Sequence, residues 1–384
     1  MVAFLRGPTH VDFNLTNGCN LACSHCHSAS GPKLDNELKT EEILQTIDAL
    51  HIIGALKIAF AGGEPFIRRD IFNILSHACS LPGWGISVIT NGFYLNSLTV
   101  EKLKAQCPNL SINISVDGST PAGYSTLRKQ LNRPDADPQP LFERVLSGID
   151  NVVRSGMSNS VNFTITKATL HDIEATYELV VDRIGADNMV AIKFFPGGYG
   201  KEHLDLYEIP YDMWDEHFVA LTRAKLGGKL ERLQISVPAA WEFYLPLINA
   251  GIPIEEAEEV WGYRSPLRED MYARMREVGD VAGISELCIS SDGEVYPSVL
   301  LVGEKTMSCG NLREHSLQRI WQESSCLMAL RELKLFDLNG NCTKCGVREV
   351  CGGGSRSRAF SREGDFRDMD YVCPIVEVPL VSHA

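Results

Sequence analysis

Residues 19–26 read CNLACSHC, and this short stretch decides the fold of the chain. It places Cys19, Cys23 and Cys26 directly after an apolar, β-rich run. Three thiolates at this spacing can hold three irons of a cubane iron–sulfur cluster and leave the fourth iron without a protein ligand. That open iron can chelate the amino and carboxylate groups of a small molecule. Structural zinc is the alternative, but zinc prefers four closed ligands, so a histidine of the same loop would have to supply the fourth.

Three further motifs follow β-rich runs. Residues 62–65 read GGEP, residues 90–92 read TNG and residues 115–118 read SVDG. Glycines let the backbone approach a ligand closely, and the Glu64 carboxylate can accept a hydrogen bond from an ammonium group. Barrel active sites gather at the carboxyl ends of parallel strands, so these motifs are expected to share one site.

The first half of the chain alternates β-rich runs with helix-length stretches, which is the pattern of repeated β-α units around a parallel sheet. The candidate strands are residues 11–15, 57–60, 86–90, 111–116, 161–165 and 190–195. The candidate helices are residues 40–53, 71–79, 142–155 and 171–184, the first with a Thr and a Glu placed to cap its start. Six units predict an α/β fold with a partial (β/α)6 barrel. Asn162, Thr164 and Lys193 are expected to point to one face and into the barrel.

We divide the chain into three segments. Residues 1–196 are the predicted barrel core, residues 197–284 a bridging helical region that shapes the substrate pocket, and residues 285–384 a small cysteine-rich domain. The bridging region loses the strict alternation, and its scattered tryptophans at positions 214, 241 and 261 are interpreted as core rather than as a dedicated binding box. A hairpin turn is predicted at Asp292-Gly293.

Composition narrows the function. The net charge is −13, with 36 Lys and Arg against 49 Asp and Glu, which argues against nucleic acid or an anionic membrane surface as a partner. No segment reads as a signal peptide or as a membrane helix, so we expect a cytoplasmic protein. Twelve cysteines in a reducing compartment indicate metal ligation rather than disulfides.

The last segment holds a second cysteine motif. Cys342, Cys345, Cys351 and the more distant Cys373 provide four thiolates. They can encase either a 4Fe-4S cluster or a zinc ion, and spacing alone leaves both open.

The N-terminal motifs resemble those of the radical S-adenosylmethionine (SAM) superfamily. CNLACSHC is similar to its Cys-x3-Cys-x2-Cys signature, with His25 before the last cysteine, and GGEP, TNG and SVDG resemble its later elements. The resemblance covers about residues 10–195 and 285–375. It implies a SAM-binding 4Fe-4S cluster at Cys19, Cys23 and Cys26. It also implies that SAM contacts Gly62, Gly63, Glu64, Pro65, Asn91, Ser115, Asp117 and Arg128.

The C-terminal segment resembles the SPASM extension of radical SAM enzymes, which normally houses two auxiliary clusters. DGEVYP at residues 292–297 and CGGG at residues 351–354 carry this resemblance. Two expected cysteines are replaced by Ser298 and Ser355, and both belong to the same cluster in the family. The resemblance therefore implies one auxiliary 4Fe-4S cluster, at Cys342, Cys345, Cys351 and Cys373. A partial second cluster at Cys288 and Cys309 stays open, and no role is assigned to Cys79, Cys107 and Cys326.

The implied activity is reductive cleavage of SAM to a 5′-deoxyadenosyl radical that abstracts a hydrogen atom from a substrate. The leading hypothesis is a maturase of a ribosomally made peptide, with the auxiliary cluster passing an electron to or from the substrate radical. With the first cysteine at residue 19, we expect a separate leader-peptide recognition protein and an external electron donor such as flavodoxin or ferredoxin. The alternatives are tetrapyrrole side-chain modification in haem biosynthesis, a sugar or small-molecule radical dehydrogenase, and a non-enzymatic interaction module.

Overall fold

Twelve strands lie in the part of the chain that the computed structural model describes, which is residues 5–263, 265 and 277–376. The predicted segments also include residues 1–4, 264, 266–276 and 377–384, which lie outside the described residues. The strands are β1 His10–Asn14, β2 Leu21–Cys23, β3 Lys57–Ala61, β4 Gly85–Thr90, β5 Ser111–Ser115, β6 Arg128–Gln130, β7 Asn159–Ile165, β8 Met189–Lys193, β9 Leu233–Ser236, β10 Glu286–Ile289, β11 Glu294–Tyr296 and β12 Gly310–Asn311.

The helices of the first 196 residues mostly connect consecutive parallel strands, and the later ones pack beside and beyond the sheet. They are α1 Thr40–Ile53, α2 Ile71–Ser80, α3 Ser97–Gln106, α4 Pro121–Leu127, α5 Gln139–Ser155, α6 Ile173–Tyr177, α7 Leu204–Tyr207, α8 Tyr211–Leu226, α9 Trp241–Asn249, α10 Ile254–Trp261, α11 Leu317–Glu323, α12 Ser325–Glu332, α13 Arg348–Cys351 and α14 Arg356–Glu363. A π-helical stretch, Glu178–Arg183, continues α6.

Helix α1 has the predicted bounds, and its first turn explains where it begins. The Glu42 carboxylate accepts a hydrogen bond from the Lys39 backbone N–H at 2.8 Å. Thr40 does not take part in this cap, because its hydroxyl donates to Asp70 at 2.7 Å.

Ten strands form one sheet in the order β12-β11-β10-β1-β3-β4-β5-β7-β8-β9. The eight strands from β10 to β9 pair in parallel, whereas β11 and β12 pair antiparallel at one edge. The six predicted strands are the centre of this sheet, so the partial-barrel fold is confirmed. Strands β9 and β10 lengthen it with residues from the second and third predicted segments.

Alternation along the strands separates a dry core from an accessible face. Ile112 and Ile114 of β5 and Val161, Phe163 and Ile165 of β7 are fully buried. The residues between them on both strands are mostly partly exposed. The accessible face of the sheet is therefore where a ligand can enter.

The bridging region packs through aromatic side chains, as its interpretation as core requires. Trp214 is fully buried and stacks on Phe218 with ring centroids 5.3 Å apart. Trp261 is also buried, and its indole N–H donates to Thr222 at 2.9 Å. Trp241 is buried too, but it lines a cavity described below.

The predicted hairpin turn at Asp292-Gly293 is confirmed. Gly293 has φ +87°, and strands β10 and β11 pair antiparallel on either side of it, with Ile289 opposite Val295. Strand β10 also pairs in parallel with β1, so this hairpin attaches the cysteine-rich segment to the barrel sheet.

Candidate functional site

The first cysteine motif forms a loop that its own backbone holds closed. The Cys19 N–H donates to the Gly31 carbonyl at 2.8 Å, and the Cys26 N–H donates to the Cys23 carbonyl at 3.1 Å. All three thiols are free and partly exposed. Burial raises the pKa of Cys19 to about 11 and that of Cys23 to about 12, so these thiols lose their protons when a metal binds.

The glycines of GGEP form the seat of this loop. The Gly63 N–H donates to the Thr16 carbonyl at 2.7 Å, and the Glu64 N–H donates to the Gly18 carbonyl at 2.8 Å. A Cβ at Gly63 would lie 2.6 Å from the Gly18 carbonyl carbon and 2.8 Å from the Asn17 carbonyl oxygen. These glycines bring two backbone segments together directly before the first cysteine, a reason for glycine that the sequence did not show.

The Glu64 carboxylate ties the GGEP turn to the TNG turn. It is fully buried and accepts hydrogen bonds from the Thr90 hydroxyl at 2.8 Å, the Asn91 N–H at 2.8 Å and the Phe66 N–H at 3.1 Å. Burial raises the pKa of Glu64 to about 7 despite these donors. Asn91 in turn donates through its amide to Asn20 of the cysteine loop at 2.9 Å. A SAM-binding role for these residues stays a prediction, and the contacts of the Glu64 carboxylate are internal to the protein.

Asp117 and Arg128 form an ion pair beside the cysteine loop. Strand β6 pairs antiparallel with β2, which places Arg128 opposite Cys23. The Arg128 Nε donates to the fully buried Asp117 carboxylate at 2.5 Å, and the Thr164 backbone N–H donates to the same carboxylate at 2.7 Å. Burial opposes ionisation of Asp117, but Arg128 outweighs it and holds the pKa below its ordinary value.

Two consequences follow for the SAM-binding prediction. Among the described residues, neither terminal nitrogen of Arg128 has a hydrogen-bond partner, so this planar fork is available to a carboxylate. Asp117, by contrast, acts on Arg128 and on His25, whose Nε2 lies 3.4 Å away. Burial lowers the pKa of His25 to about 4, which keeps this ring neutral.

One predicted orientation on the barrel strands is wrong. Thr164 pairs with Ile192 across β7 and β8, so these two residues share the accessible face, while Lys193 pairs with the buried Ile165. Lys193 is therefore on the opposite face, where its ammonium group pairs with Glu242 of α9. The register of two parallel strands decides this point, and it cannot be read from either strand alone.

A segment that the sequence analysis did not assign covers the cysteine loop. We call residues 197–207, which connect β8 to α8, the strap. The Tyr199 N–H donates to the Cys26 carbonyl at 3.0 Å, and the Tyr207 hydroxyl lies 2.5 Å from the Ser24 hydroxyl. Gly198 has φ +48°, and a Cβ there would lie 2.5 Å from the His27 carbonyl oxygen. The strap therefore fixes the backbone of the third cysteine.

The second cysteine motif lines one cavity. Cys342, Cys345, Cys351 and Cys373 all contribute to its wall, although Cys373 comes last in the chain by more than twenty positions. The cavity holds about 430 Å³ of space free of protein atoms, part of it open to solvent. Residues 369–370 and Trp241 complete much of the wall.

The donor chemistry fits iron–sulfur clusters at both motifs. Seven free thiols are divided three and four between the two places, as the sequence predicts. Within residues 5–263, 265 and 277–376, no group of three or more His, Cys, Asp or Glu side chains is arranged to hold a single metal ion. A cluster needs a wider separation of thiols than one zinc ion does, which the cavity between the four C-terminal cysteines provides.

The serines at the two lost cysteine positions have structural tasks. The Ser298 hydroxyl donates to Glu286 at 2.8 Å. The Ser355 hydroxyl accepts from the Arg358 N–H at 3.2 Å and caps α14. Cys288 is buried and receives a weak hydrogen bond from Asn14 at 3.8 Å.

The remaining cysteines are grouped in pairs away from both motifs. The thiols of Cys309 and Cys326 donate to the same Met307 carbonyl, at 3.8 Å and 3.7 Å. Cys79 and Cys107 also interact with each other. A partial cluster at Cys288 and Cys309 stays a prediction, and these contacts give it no further ligand.

Sequence comparison identifies the family. The sequence model of the radical SAM superfamily matches residues 13–180, and that of the SPASM iron–sulfur cluster-binding domain matches residues 282–346. The chain is a radical SAM enzyme with a C-terminal SPASM domain, and its cofactors are SAM and iron–sulfur clusters. The predicted resemblance is confirmed.

The chain is similar along nearly its whole length to curated enzymes. It is 28% identical over 374 residues to the AdoMet-dependent heme synthase of Methanosarcina barkeri, which covers 97% of this chain and 98% of that protein. It is 24% identical over 366 residues to the mycofactocin maturase MftC of Mycolicibacterium smegmatis, covering 93% and 80%.

Solved structures confirm the fold. Streptococcus suis SuiB bound to its precursor peptide SuiA superposes with a TM-score of 0.72 at 18% identity, covering 98% of this chain and 77% of that one. The structure of anSMEcpe with bound AdoMet gives 0.68 at 18% identity, covering 95% and 94%. Among the helices of the described residues, none has the length and apolar character to cross a membrane.

Proposed function

We propose that this enzyme cleaves SAM reductively and modifies a ribosomally made peptide by hydrogen-atom abstraction at the accessible face of the barrel. One observation carries the choice of a peptide, namely the absence of charge on that face of β5, β7 and β8. Its residues are polar and neutral or apolar: Ser111, Asn113, Ser115, Ser160, Asn162, Thr164, Val190 and Ile192. Such side chains suit the amide groups and uncharged side chains of a peptide.

The buried cations beside this face support the same choice. Arg128 pairs with Asp117, and Lys193 pairs with Glu242 on the other side of β8. A tetrapyrrole carries several carboxylates and favours a cavity with unpaired cations. Of these two cations, only the terminal nitrogens of Arg128 are available, and we assign them to the SAM carboxylate.

The chain's own residues bind and orient the reactants. Residues 19, 23 and 26 hold the cluster, which when bound supplies the electron that cleaves SAM. Asp117 orients Arg128 toward a carboxylate partner, and Glu64 fixes the TNG turn so that Asn91 stays against the cysteine loop. The strap and the C-terminal segment enclose the site and limit access of water.

The auxiliary cluster and the partners complete the proposal. Cys342, Cys345, Cys351 and Cys373 hold one auxiliary 4Fe-4S cluster, which exchanges an electron with the substrate radical. A separate leader-peptide recognition protein delivers the substrate, and flavodoxin or ferredoxin reduces the first cluster.

Tetrapyrrole modification is the second candidate, and the comparisons favour it. A heme synthase and the Fe-coproporphyrin III synthase of Methanosarcina barkeri are each 28% identical to this chain, over 374 and 383 residues. The two candidates differ in the charge that the site must accept.

Deuterium transfer to 5′-deoxyadenosine separates the candidates. Peptides encoded by short reading frames beside the gene are produced fully deuterated and incubated with reduced enzyme and SAM, and Fe-coproporphyrin III is tested in parallel. The proposal predicts deuterium in 5′-deoxyadenosine with one of the peptides and no product from a Cys19→Ala control. Product formation stimulated by Fe-coproporphyrin III, with no deuterium from any peptide, would establish the second candidate instead.

A further inference from the structure

Four buried charges lie between the barrel and the C-terminal cysteine cavity. Lys193 at the end of β8 pairs with Glu242 of α9, and Arg358 of α14 donates to the same carboxylate oxygen at 3.0 Å. Arg358 also binds Asp370 through two nitrogens, each at 2.6 Å. All four side chains are at most 6% exposed. We call these four residues the ion network.

The ion network is electrically neutral and its carboxylates are saturated with donors. Asp370 accepts two further hydrogen bonds, from the Trp241 indole at 3.0 Å and from the Ser355 N–H at 3.1 Å. The second oxygen of Glu242 accepts from the Ala239 N–H at 2.9 Å. Charges buried in this way are held in their ionised forms by their partners.

The two ends of the network face different spaces. Asp370 and Trp241 line the cavity of the four C-terminal cysteines. Arg358 and Lys193 line a smaller cavity with Glu208, where β8 ends. The carboxylate is therefore the network's charge next to the cysteines, and the guanidinium that neutralises it lies behind.

We propose that the Arg358–Asp370 pair sets the reduction potential of the auxiliary cluster at Cys342, Cys345, Cys351 and Cys373. The inference rests on the presence of that cluster and not on the identity of the substrate. Reduction adds a negative charge to the cluster, so a bare carboxylate in the wall opposes it and a cation favours it. With Arg358 in place, the wall is neutral and the carboxylate instead serves to order Trp241 and the start of α14.

The pair predicts shifts of opposite sign. In Arg358→Gln the Asp370 carboxylate loses its cation, and the potential falls. In Asp370→Asn the carboxylate charge is lost while Arg358 keeps Glu242, and the potential rises. A structural role alone would make both variants looser and shift both in the same direction. The sign difference is therefore the signature of an electrostatic role.

The test uses the full chain with Cys19, Cys23 and Cys26 changed to Ala, so that only the auxiliary cluster contributes. After anaerobic reconstitution, the cluster is titrated with dithionite and redox mediators and followed by electron paramagnetic resonance. We expect each charge change to alter the ratio of reduced to oxidised cluster at fixed potential about tenfold, or ~59 mV for a one-electron couple, in opposite directions. Arg183→Gln, which removes an exposed cation paired with Glu178, is the matched control and should leave the potential unchanged.

Arg358→Lys guards against loss of folding. It keeps the positive charge but not the bidentate geometry, so its potential should stay close to the parent value even if its stability falls. Shifts of the same sign in Arg358→Gln and Asp370→Asn, or no shift in Asp370→Asn with full iron content, would overturn the proposal. Zinc in place of iron at the four cysteines would overturn it too, and that result would leave SAM cleavage in the unmodified enzyme unaffected.

Discussion

Replacing Gly63 by Ala tests how the GGEP turn supports the cysteine loop. The added Cβ would lie closer than 3.0 Å to backbone atoms of Asn17 and Gly18, and backbone atoms cannot rotate away as a flexible side chain can. Gly63 is not among the glycines with positive φ, so alanine suits its backbone and the effect is purely steric.

The size of the effect follows from the contacts. To relieve the clash, the turn must move away from residues 16–18, which weakens the hydrogen bonds from Gly63 to Thr16 and from Glu64 to Gly18. Each such bond contributes about 1 kcal/mol, and overpacking of a dense site costs about 1–3 kcal/mol. We expect Gly63→Ala to lower the free energy of unfolding by about 2–3 kcal/mol and to reduce iron binding at the first motif.

Gly85→Ala is the matched control. Its nearest neighbour would be a side-chain carbon of Lys57 at 3.6 Å, which is ordinary van der Waals contact. Both variants are unfolded with urea under anaerobic conditions, and iron is counted after reconstitution. If Gly63→Ala is as stable as Gly85→Ala and binds as much iron, the close approach of these backbone segments does not support the loop, and this reasoning is refuted.

Three other predictions follow from the same contacts. Gly198→Ala should destabilise iron binding at the first motif more than Gly228→Ala, measured as the rate of cluster bleaching in air, because both glycines have positive φ but only Gly198 meets the cysteine loop. Burial raises the pKa of Glu286 from 4.5 to about 7, so the stability it contributes below pH 4.5 is lost as the pH rises toward 7; a Glu286→Gln variant should show a flatter urea-unfolding profile across that window, and an equal slope in both proteins would contradict this. Lys193→Met leaves Glu242 with one cation fewer and should cost about 3–5 kcal/mol in the same unfolding assay, whereas Lys193→Met with Glu242→Gln should recover part of that loss; no recovery would mean that the loss is one of packing.

The central fold was predictable because its signals are local. Each of the six middle strands is an apolar run bounded by turn residues, and its length is close to that of the observed strand. Strands β2 and β6 have three residues each, and β9 alternates over only four. Runs that short do not stand out from their surroundings, although β6 places Arg128 opposite Cys23.

The cysteine motifs were predictable for the same reason, since their spacing is written in the sequence. The residues that support them were not, because their contacts join distant parts of the chain. Glu242 and Arg358 are 116 positions apart, and Trp241 and Asp370 are 129 apart. No periodicity or motif reports such a pair. The strap was missed because glycine-rich sequence usually indicates a turn, and its contact with Cys26 appears only in the fold.

The central claim is that the chain holds two four-iron sites, of which the first cleaves SAM. Iron and sulfide are counted on anaerobically reconstituted protein, in wild type and in a variant with Cys19, Cys23 and Cys26 changed to Ala, and reductive SAM cleavage is assayed in both. The account predicts about eight irons per wild-type chain, falling to about four in the variant, with cleavage abolished. Zinc without SAM cleavage in the wild type, or cleavage that survives in the variant, would contradict it.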